Sequence, residues 1–428
     1  TFFVQSGKAA FAPTLGKSLV DAGISYQSIG PTRYKTVTGS EVRTEQPQTT
    51  ASEANAVADA AGTRSTGLSA DSQLNDFTPD EGDANAWGLA AVGALEAQQV
   101  DVPLEKVTVG VMDTGIDPDH KDLKEHLDAS RSVGCQINGI PSQNPADWKD
   151  DHYHGTHVAG TIAAAHNAYG VDGVAPSATI VAIKTSNEAG SFYPEYVACA
   201  FDWAAEHDID VTNSSYYMDP YAFWMPTEGS QAAGLEAASR AIRYAKNHGV
   251  VNIAAEGNDN DDHDNPTIDK ASPNDVEGAA VERNVAGGVD VPAMLNDSVV
   301  SVSAVALPTG TDPATATLER SKFSNYGKNS VDVAAPGSRI WSTLPTWKKD
   351  PPFGYLSGTS MASPHAAGVA ALIKQIHPDY THDQTIELLK KQAGYTYDRL
   401  AVPTDGKEYR GARLVNALAA VLKDQTQP

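Results

Sequence analysis

The chain has 428 residues, of which 41% are hydrophobic and 20% charged, a composition typical of a globular protein. Its formal net charge of -23, from 54 acidic and 31 basic residues, repels phosphate backbones and argues against nucleic-acid binding. The same charge fits a soluble protein, which we expect to be a monomer. No apolar run reaches the roughly 18 residues that span a bilayer, and no signal peptide is visible at Thr1.

The first 84 residues differ from the rest of the chain. Residues 1–43 are predicted to form a small α+β unit, with strand-like and helical spacing in short segments. Residues 44–84 are rich in Thr, Ser, Ala, Glu, Asp and Gln and have almost no large apolar side chains, which predicts a polar acidic linker. Residues 85–428 are then expected to form one larger domain.

From Trp87 onward, predicted strands alternate with predicted helices. The strands are 107–112, 179–184, 210–213, 250–255, 298–305 and 331–334, and the helices are 157–165, 193–207, 231–247, 360–376 and 381–392. Near-continuous apolar strands indicate burial on both faces. The pattern therefore predicts an α/β fold, a doubly wound and mostly parallel sheet with helices on both faces. The two cysteines, Cys135 and Cys199, form either one disulfide or two buried thiols.

Asp113 directly follows the first of these strands. Functional groups gather at the carboxyl ends of the strands of parallel sheets. A carboxylate at that position can orient an imidazole and stabilise the imidazolium that forms during proton transfer. Taken alone, Asp113 also fits a turn or a helix cap.

His154 directly precedes a predicted helix whose first turns are rich in glycine and alanine. Small side chains allow close packing and leave the imidazole unobstructed. His157 lies three residues further on, so a zinc site with Asp113 or Asp151 is an alternative. The i, i+3 spacing is a poor substitute for the i, i+4 pair of metalloproteases, and the glutamate base of that motif is missing.

Ser360 lies where Gly358-Thr359 leads into a long predicted helix of small residues. Backbone N–H groups and the helix dipole favour negative charge at such a position. A plain N-cap serine is the alternative. The G-x-S-x-G motif of the α/β-hydrolases is excluded because residue 362 is alanine.

The three residues occur in the chain order Asp113, His154, Ser360, and this order is the one found in subtilisin. From Trp87 to the C-terminus the chain therefore resembles the subtilisin-like serine proteases (subtilase family, peptidase S8). The resemblance implies a serine endopeptidase: Ser360 is the nucleophile, His154 the general base and Asp113 its orienter. The segment Ala254-Ala255-Glu256-Gly257-Asn258 is similar to the family's oxyanion segment, which implies Asn258 as the oxyanion donor, although a plain turn asparagine is the alternative.

The resemblance also implies a substrate cleft. Its residues are predicted as Ser215, Tyr216, Tyr217, Ala255, Glu256, Gly257 and Asp259. Tyr216 and Tyr217 depart from the Leu-Gly pair common in the family, so the rings either narrow the cleft or pack on Phe223 and Trp224. The acidic run that follows Asn258 has three interpretations: Glu256 or Asp259 favours a basic substrate side chain, the run binds calcium, or it is a solvated loop.

A structural calcium site is implied by residue spacing. Asp122 lies nine residues after Asp113 and Asn167 thirteen residues after His154, as in the family's tight Ca²⁺ site. The backbone carbonyls of Ala165, Tyr169 and Val171 would complete it, with Gly170 in the turn.

Membership of this family implies polypeptide substrates and an extracellular location. Residues 1–43 resemble loosely the family's prosegment, an intramolecular inhibitor; alternatively residues 1–84 are a stable extension of the mature enzyme. Two other functions remain: a dedicated processing protease of narrow specificity, and a non-catalytic binding module.

Overall fold

A computed structural model describes residues 85–422. The predicted N-terminal unit and linker lie outside the described residues. The helices are α1 Trp87–Ala91, α2 Ala94–Ala97, α3 Pro145–Trp148, α4 His154–Ala163, α5 Pro194–Glu206, α6 Gly229–Asn247, α7 Thr359–Ile376, α8 His382–Ala393 and α9 Ala417–Val421, and a 3-10 helix spans Gly394–Arg399. The strands are β1 Thr108–Asp113, β2 Val133–Gly134, β3 Thr179–Lys184, β4 Val211–Ser214, β5 Val251–Ala255, β6 Ile268–Asp269, β7 Arg283–Asn284, β8 Val300–Ala306, β9 Glu319–Arg320, β10 Val333–Pro336, β11 Ile340–Thr343 and β12 Phe353–Leu356.

The main sheet has the strand order β10-β8-β5-β4-β1-β3-β2, and all of these neighbours pair in parallel. Only β9 is antiparallel, on β8. The doubly wound, mostly parallel fold class is confirmed, and every strand and helix expected between residues 107 and 392 is present, with ends shifted by at most one helical turn. Because the strands are parallel, β1, β4 and β5 end at the same edge of the sheet.

The sheet is buried on both faces, because successive side chains of a strand point to opposite sides. Ile180 and Ala182 of β3 pack into one apolar cluster, with residues of α4 and α7. Val181 and Ile183 pack into a second cluster, with residues of α5 and α6. The continuous apolar runs of the sequence thus supply both layers of the core.

Helix α7 is buried along its whole length, from Thr359 to Ile376. Its first half consists of small residues, which allows the close approach of α4 on one side and of β5 and β8 on the other. Even Lys374 is buried, with its ammonium donating hydrogen bonds to the carbonyls of Pro378 and Tyr380. A helix enclosed in this way holds its N-terminal turn rigidly.

Cys135 and Cys199 form a disulfide that joins the end of β2 to α5 across a sequence separation of 64 residues. Both side chains are buried. Closing a loop of this length restricts the unfolded chain, which stabilises the native state.

Replacing both cysteines by serine should therefore lower the free energy of unfolding by about 2–4 kcal/mol. Chemical denaturation in a Ser360→Ala background, which prevents self-digestion, measures the effect. An unchanged denaturation midpoint in the double variant contradicts the prediction. Reduction of the parent protein without denaturant should reproduce the loss.

Candidate active site

Asp113 is fully buried at the end of β1, between β3 and β4. Its carboxylate accepts hydrogen bonds from Nδ1 of His154, at 2.8 Å to Oδ1 and 3.0 Å to Oδ2. The backbone N–H of Thr114 donates to Oδ1 at 2.7 Å. This arrangement keeps the imidazole proton on Nδ1, which leaves Nε2 as the proton acceptor.

His154 is the first residue of α4 and is held by the neighbouring carboxylate of Asp150. That carboxylate accepts hydrogen bonds from the backbone N–H groups of His152, Tyr153 and Thr156 and from the hydroxyls of Thr114 and Thr156. Gly155 lies so close to Gly115 and Asp113 that any side chain on it would collide with them. The start of α4 is therefore fixed against the end of β1. Asp150 was not predicted to have this role. Its position four residues before His154 was the feature of the sequence that could have indicated it.

The pKa of His154 reflects opposing effects. Burial lowers it, but the charge of Asp113, the hydrogen bond to Asp113 and the charge of Asp150 together raise it above the usual value. A histidine with a raised pKa is a stronger base, and it acts as a base only above that pKa. Proton uptake by His154 from a serine hydroxyl or a water molecule is thus favoured.

Ser360 lies in the first turn of α7 and is buried. Its hydroxyl donates a hydrogen bond to the carbonyl of Ser215 at 3.2 Å. Nε2 of His154 is buried and has no hydrogen-bond partner among the described residues. Rotation about the Ser360 side-chain bond redirects the hydroxyl, and such contacts commonly tighten only when substrate is bound.

A chain of hydrogen bonds ties the first turn of α7 to the end of β4. The Ser363 hydroxyl donates to Oδ1 of Asn213, and Nδ2 of Asn213 donates to the Ser215 hydroxyl at 2.9 Å. The Ser215 hydroxyl in turn donates to the carbonyl of Ser360 at 2.9 Å. Ser215, predicted to bind substrate, therefore fixes the backbone of Ser360.

Asn258 follows β5 and has a fixed amide orientation. Its Oδ1 accepts hydrogen bonds from the N–H of Thr359 at 2.8 Å and from the Thr359 hydroxyl at 3.0 Å. The same hydroxyl accepts a hydrogen bond from the N–H of Gly257 at 3.0 Å. Two donors on one atom identify it as the oxygen, so the NH₂ group of Asn258 is the end directed away from Thr359.

Ser360 borders a narrow pocket. Its other lining residues are Tyr216, Tyr217, Ala255, Gly257, Asp290 and Thr359. Tyr216 stacks on Phe192, with ring centroids 4.2 Å apart. The Tyr217 hydroxyl accepts a hydrogen bond from Asn274 at 2.8 Å. Both tyrosines thus form an aromatic wall that narrows the pocket.

Glu256 was expected to supply negative charge to the pocket. It does not line the pocket, so this expectation was wrong. Glu256 is fully buried and its Oε1 lies 3.0 Å from Nδ1 of His263. Asp259 is solvent-exposed and does not line the pocket either. The acid that does line it is Asp290, which the sequence analysis missed. The feature of the sequence that could have indicated this acid is its position as a single charged residue between Val289 and Val291-Pro292.

His157, considered above as a zinc ligand, is a structural residue. Its Nε2 donates to the carbonyls of Ile340 and Gly354, at 3.0 and 3.1 Å, which belong to the paired strands β11 and β12. Burial, with the nearby charge of His154, lowers its pKa to about 3. A neutral imidazole thus holds this hairpin against α4.

The residues of the predicted calcium site converge on one buried carboxylate. Oδ2 of Asp122 accepts a hydrogen bond from the N–H of Val171 at 3.1 Å, and Nδ2 of Asn167 lies 3.3 Å from Oδ1. The N–H of Ala165 donates to the carbonyl of Asp122 at 2.9 Å. Gly170 has φ +75, and a side chain there would collide with the Asp122 carboxylate. The loop 165–171 is therefore wrapped around Asp122.

A buried Asp–His pair, together with a serine in the first turn of a helix that packs against the helix of the histidine, is the residue set of an α/β serine hydrolase site. The model of the subtilase family matches residues 105–416, and the chain belongs to that family. It is 33% identical over 335 residues to subtilisin NAT of Bacillus subtilis subsp. natto, covering 78% of this chain and 70% of that protein. Subtilisin of Bacillus pumilus is 32% identical over 335 residues, covering 78% of this chain and 98% of the relative. The chain is thus a serine endopeptidase.

A solved structure has the same fold. The epidermin leader peptide processing serine protease of Staphylococcus aureus matches with a TM-score of 0.62 and 24% identity, over 82% of this chain and 84% of that one. No helix among residues 85–422 has the length and apolar character to cross a membrane.

Proposed function

We propose that the chain hydrolyses peptide bonds through an acyl-enzyme on Ser360, with His154 as general base, Asp113 as its orienter and Asn258 as oxyanion donor. The observation that carries this proposal is the buried Asp113–His154 hydrogen bond. It leaves Nε2 of the imidazole, which has no hydrogen-bond partner among the described residues, as the proton acceptor at the start of α4, the helix that packs against α7.

The reaction follows from this geometry. The Ser360 hydroxyl leaves the Ser215 carbonyl, transfers its proton to Nε2 of His154 and attacks the peptide carbonyl. The resulting oxyanion accepts hydrogen bonds from the Asn258 amide and the backbone N–H of Ser360. His154 then protonates the leaving amine, and a water molecule, activated by the same imidazole, hydrolyses the acyl-enzyme.

Labelling with a fluorophosphonate tests the proposal directly. The protein should be labelled at Ser360, and labelling should be absent in Ser360→Ala and strongly reduced in His154→Ala. Ser363→Ala is the matched control, because that serine is also buried near the start of α7 and its hydroxyl donates a hydrogen bond to Asn213. Labelling of Ser363 rather than Ser360 contradicts the assignment.

We further propose a structural Ca²⁺ ion at the loop 165–171. The donor set fits this ion, since a carboxylate, an amide and three backbone carbonyls are all oxygen ligands. Asp122 and Asn167 would bind through side-chain oxygens, and Ala165, Tyr169 and Val171 through carbonyls. The Asn167 amide must turn over, because its Oδ1 now accepts a hydrogen bond from the N–H of Tyr169. Bound Ca²⁺ would stabilise the loop that follows α4.

Chelation should therefore lower the melting temperature. A site filled at 100–1,000 times its Kd contributes about 3–4 kcal/mol, so removal of calcium from inactive Ser360→Ala protein should lower Tm by roughly 5–10 °C. Differential scanning calorimetry with and without EDTA measures the shift. Asn167→Ala, at an exposed position, should lose most of the EDTA sensitivity while remaining folded. Equal Tm values in both buffers refute the calcium site.

We also propose that the protein is extracellular, and its disulfide supports this location. Its proposed substrates are polypeptides. We propose that residues 1–43 act as an intramolecular inhibitor and that the enzyme itself then cleaves the chain within the linker of residues 44–84. Mass spectrometry should find cleavage between about residues 44 and 84 in the active protein and none in Ser360→Ala. An intact N-terminus in active protein identifies residues 1–84 as a permanent extension.

A dedicated processing protease is the second candidate. The aromatic wall of Tyr216 and Tyr217 narrows the pocket next to Ser360, which favours a restricted set of substrates over general digestion. A peptide-library profile distinguishes the two, since a digestive enzyme accepts many side chains at the cleavage site.

A further inference from the structure

The pocket beside Ser360 is positioned to bind the side chain just before the scissile bond. A carbonyl attacked by Ser360 has its oxygen between Asn258 and the N–H of Ser360. The pocket is lined by Ser360 and the preceding Thr359, and by Ala255 and Gly257 of the segment that leads to Asn258. The residue that supplies the attacked carbonyl, called P1, therefore places its side chain in this pocket.

Asp290 supplies a carboxylate to that pocket. The residue is only 5% exposed, and its Oδ1 is buried without a hydrogen-bond partner among the described residues. An unpartnered buried carboxylate oxygen is costly, and such atoms are rare in folded proteins. A cationic group entering the pocket would provide the missing partner.

The nearest basic residue does not provide it. Oδ2 of Asp290 lies 3.7 Å from Nε2 of His263, beyond hydrogen-bond distance. The same Nε2 faces Nδ2 of Asn325 at 2.8 Å. The Asn325 amide cannot turn over, because its Oδ1 accepts hydrogen bonds from the N–H groups of Asp259 and Asp261. Nε2 of His263 therefore faces the Asn325 amide and is too far from Asp290 to form a hydrogen bond with it. Burial lowers the pKa of His263, but the charge of Glu256, the hydrogen bond to it and the charges of Asp290 and Asp261 raise it to about 9.

The other ring nitrogen of His263 is also committed. Nδ1 lies 3.0 Å from Oε1 of Glu256, and both residues are fully buried. His263, Glu256 and Asn325 thus form one buried cluster, in which Oε2 of Glu256 has no hydrogen-bond partner among the described residues. This cluster holds the acid that was expected in the pocket, and Asp290 is the acid that lines the pocket.

We propose that Asp290 determines substrate specificity and selects a basic P1 side chain, arginine or lysine, through an ion pair at the pocket wall. The inference rests on the proposed hydrolysis through Ser360. Tyr216 and Tyr217 flank the pocket with aromatic surface, against which the aliphatic part of a basic side chain can pack. Their rings exclude water from the ion pair, which strengthens it.

The charge state of Asp290 should make this preference depend on pH. Burial raises the pKa of its carboxyl to about 8; the charge of His263 lowers it, and the charges of Glu256, Asp259 and Asp261 raise it. The phenols of Tyr216 and Tyr217 also line the pocket. Below about pH 8 the free carboxyl is mostly protonated, so the preference for a cationic side chain should increase as the pH rises through this value.

Two peptides that differ only at P1, with arginine or its uncharged isostere citrulline, provide the test. For the full-length protein at pH 8.5, kcat/KM for arginine should exceed that for citrulline by about 10- to 100-fold, the range expected for a hydrogen-bonded charged pair. Asp290→Asn should bring the two kcat/KM values within about 3-fold of each other, because it removes the charge that distinguishes arginine from citrulline. Asp259→Asn, which removes an exposed acid of the same region, should keep the arginine preference.

Equal cleavage of both peptides by the parent enzyme overturns the proposal, as does an Asp290→Asn variant that keeps the preference or an Asp259→Asn variant that loses it. If Asp290→Asn does not fold, the arginine-to-citrulline ratio of the parent enzyme decides: a ratio of about 10 or more at pH 8.5 supports the role of Asp290, and a ratio near 1 at both pH 6 and pH 9.5 refutes it. Failure of the hydrolytic mechanism itself is distinguishable, because neither peptide would be cleaved and Ser360 would not react with fluorophosphonate.

Discussion

Replacement of Ser360 by alanine should lower kcat by about 10⁶-fold, the size of the effect that removal of the nucleophile has in subtilisin. The loss follows because alanine has no hydroxyl that could transfer a proton to His154 and attack the peptide carbonyl. Initial-rate kinetics with a chromogenic peptide, calibrated by active-site titration of the parent enzyme, measures the loss.

The control for this prediction is non-additivity. His154→Ala alone should cost about as much as Ser360→Ala, and the double variant should be no worse than either, since the two residues act as a unit. KM should change little, because both side chains stabilise the transition state and contribute little to binding of the substrate itself. Additive losses, or a residual rate within about 100-fold of the parent, would assign the nucleophile to another residue.

Asp113→Asn should lower kcat by about 10⁴-fold without unfolding the protein. The Asp113 carboxylate accepts two hydrogen-bond donors, Nδ1 of His154 and the N–H of Thr114. The side-chain oxygen of an asparagine at residue 113 would still accept the hydrogen bond from the N–H of Thr114. Its NH₂ group would then face the imidazole of His154. Nδ1 must then accept a hydrogen bond, so the proton moves to Nε2 and His154 can no longer receive a proton from Ser360.

The pH profile separates this tautomer effect from simple disruption. Asp113 raises the pKa of His154 in the parent enzyme, so in Asp113→Asn the acidic limb of the kcat/KM profile should shift to lower pH. The matched variant is Asp150→Asn, which removes the more distant charge and should shift the same limb less. An unshifted acidic limb in Asp113→Asn would mean that the carboxylate does not interact with the catalytic imidazole.

The fold could be predicted from the sequence because its signals are local. Val107–Met112 and Thr179–Lys184 are continuous apolar runs, and such runs indicate strands buried on both faces wherever they occur. The short strand pairs β6–β7 and β11–β12 were not foreseen. Each pair brings together short strands separated by a loop, so no periodicity identifies them, and β11–β12 is held in place by His157 from a distant helix.

The site could be predicted only in part. Asp113, His154, Ser360 and Asn258 lie in recognisable segments, and their chain order is itself informative. The roles of the acids around the pocket were not decidable in this way. Glu256 precedes Asn258 directly and yet is buried against His263, whereas Asp290 is more than thirty residues further along the chain and lines the pocket.

By itself, the sequence determined the family, the order of strands and helices, and the chemical identity of the reacting groups, since these depend on residue type and on spacing along the chain. Only the tertiary structure decided which carboxylate lines the pocket, that the two cysteines form a disulfide and which hydroxyls hold the first turns of α7. Those features depend on contacts between residues far apart in the sequence, and burial changes the charge and hydrogen-bonding capacity of each group once the contacts have formed.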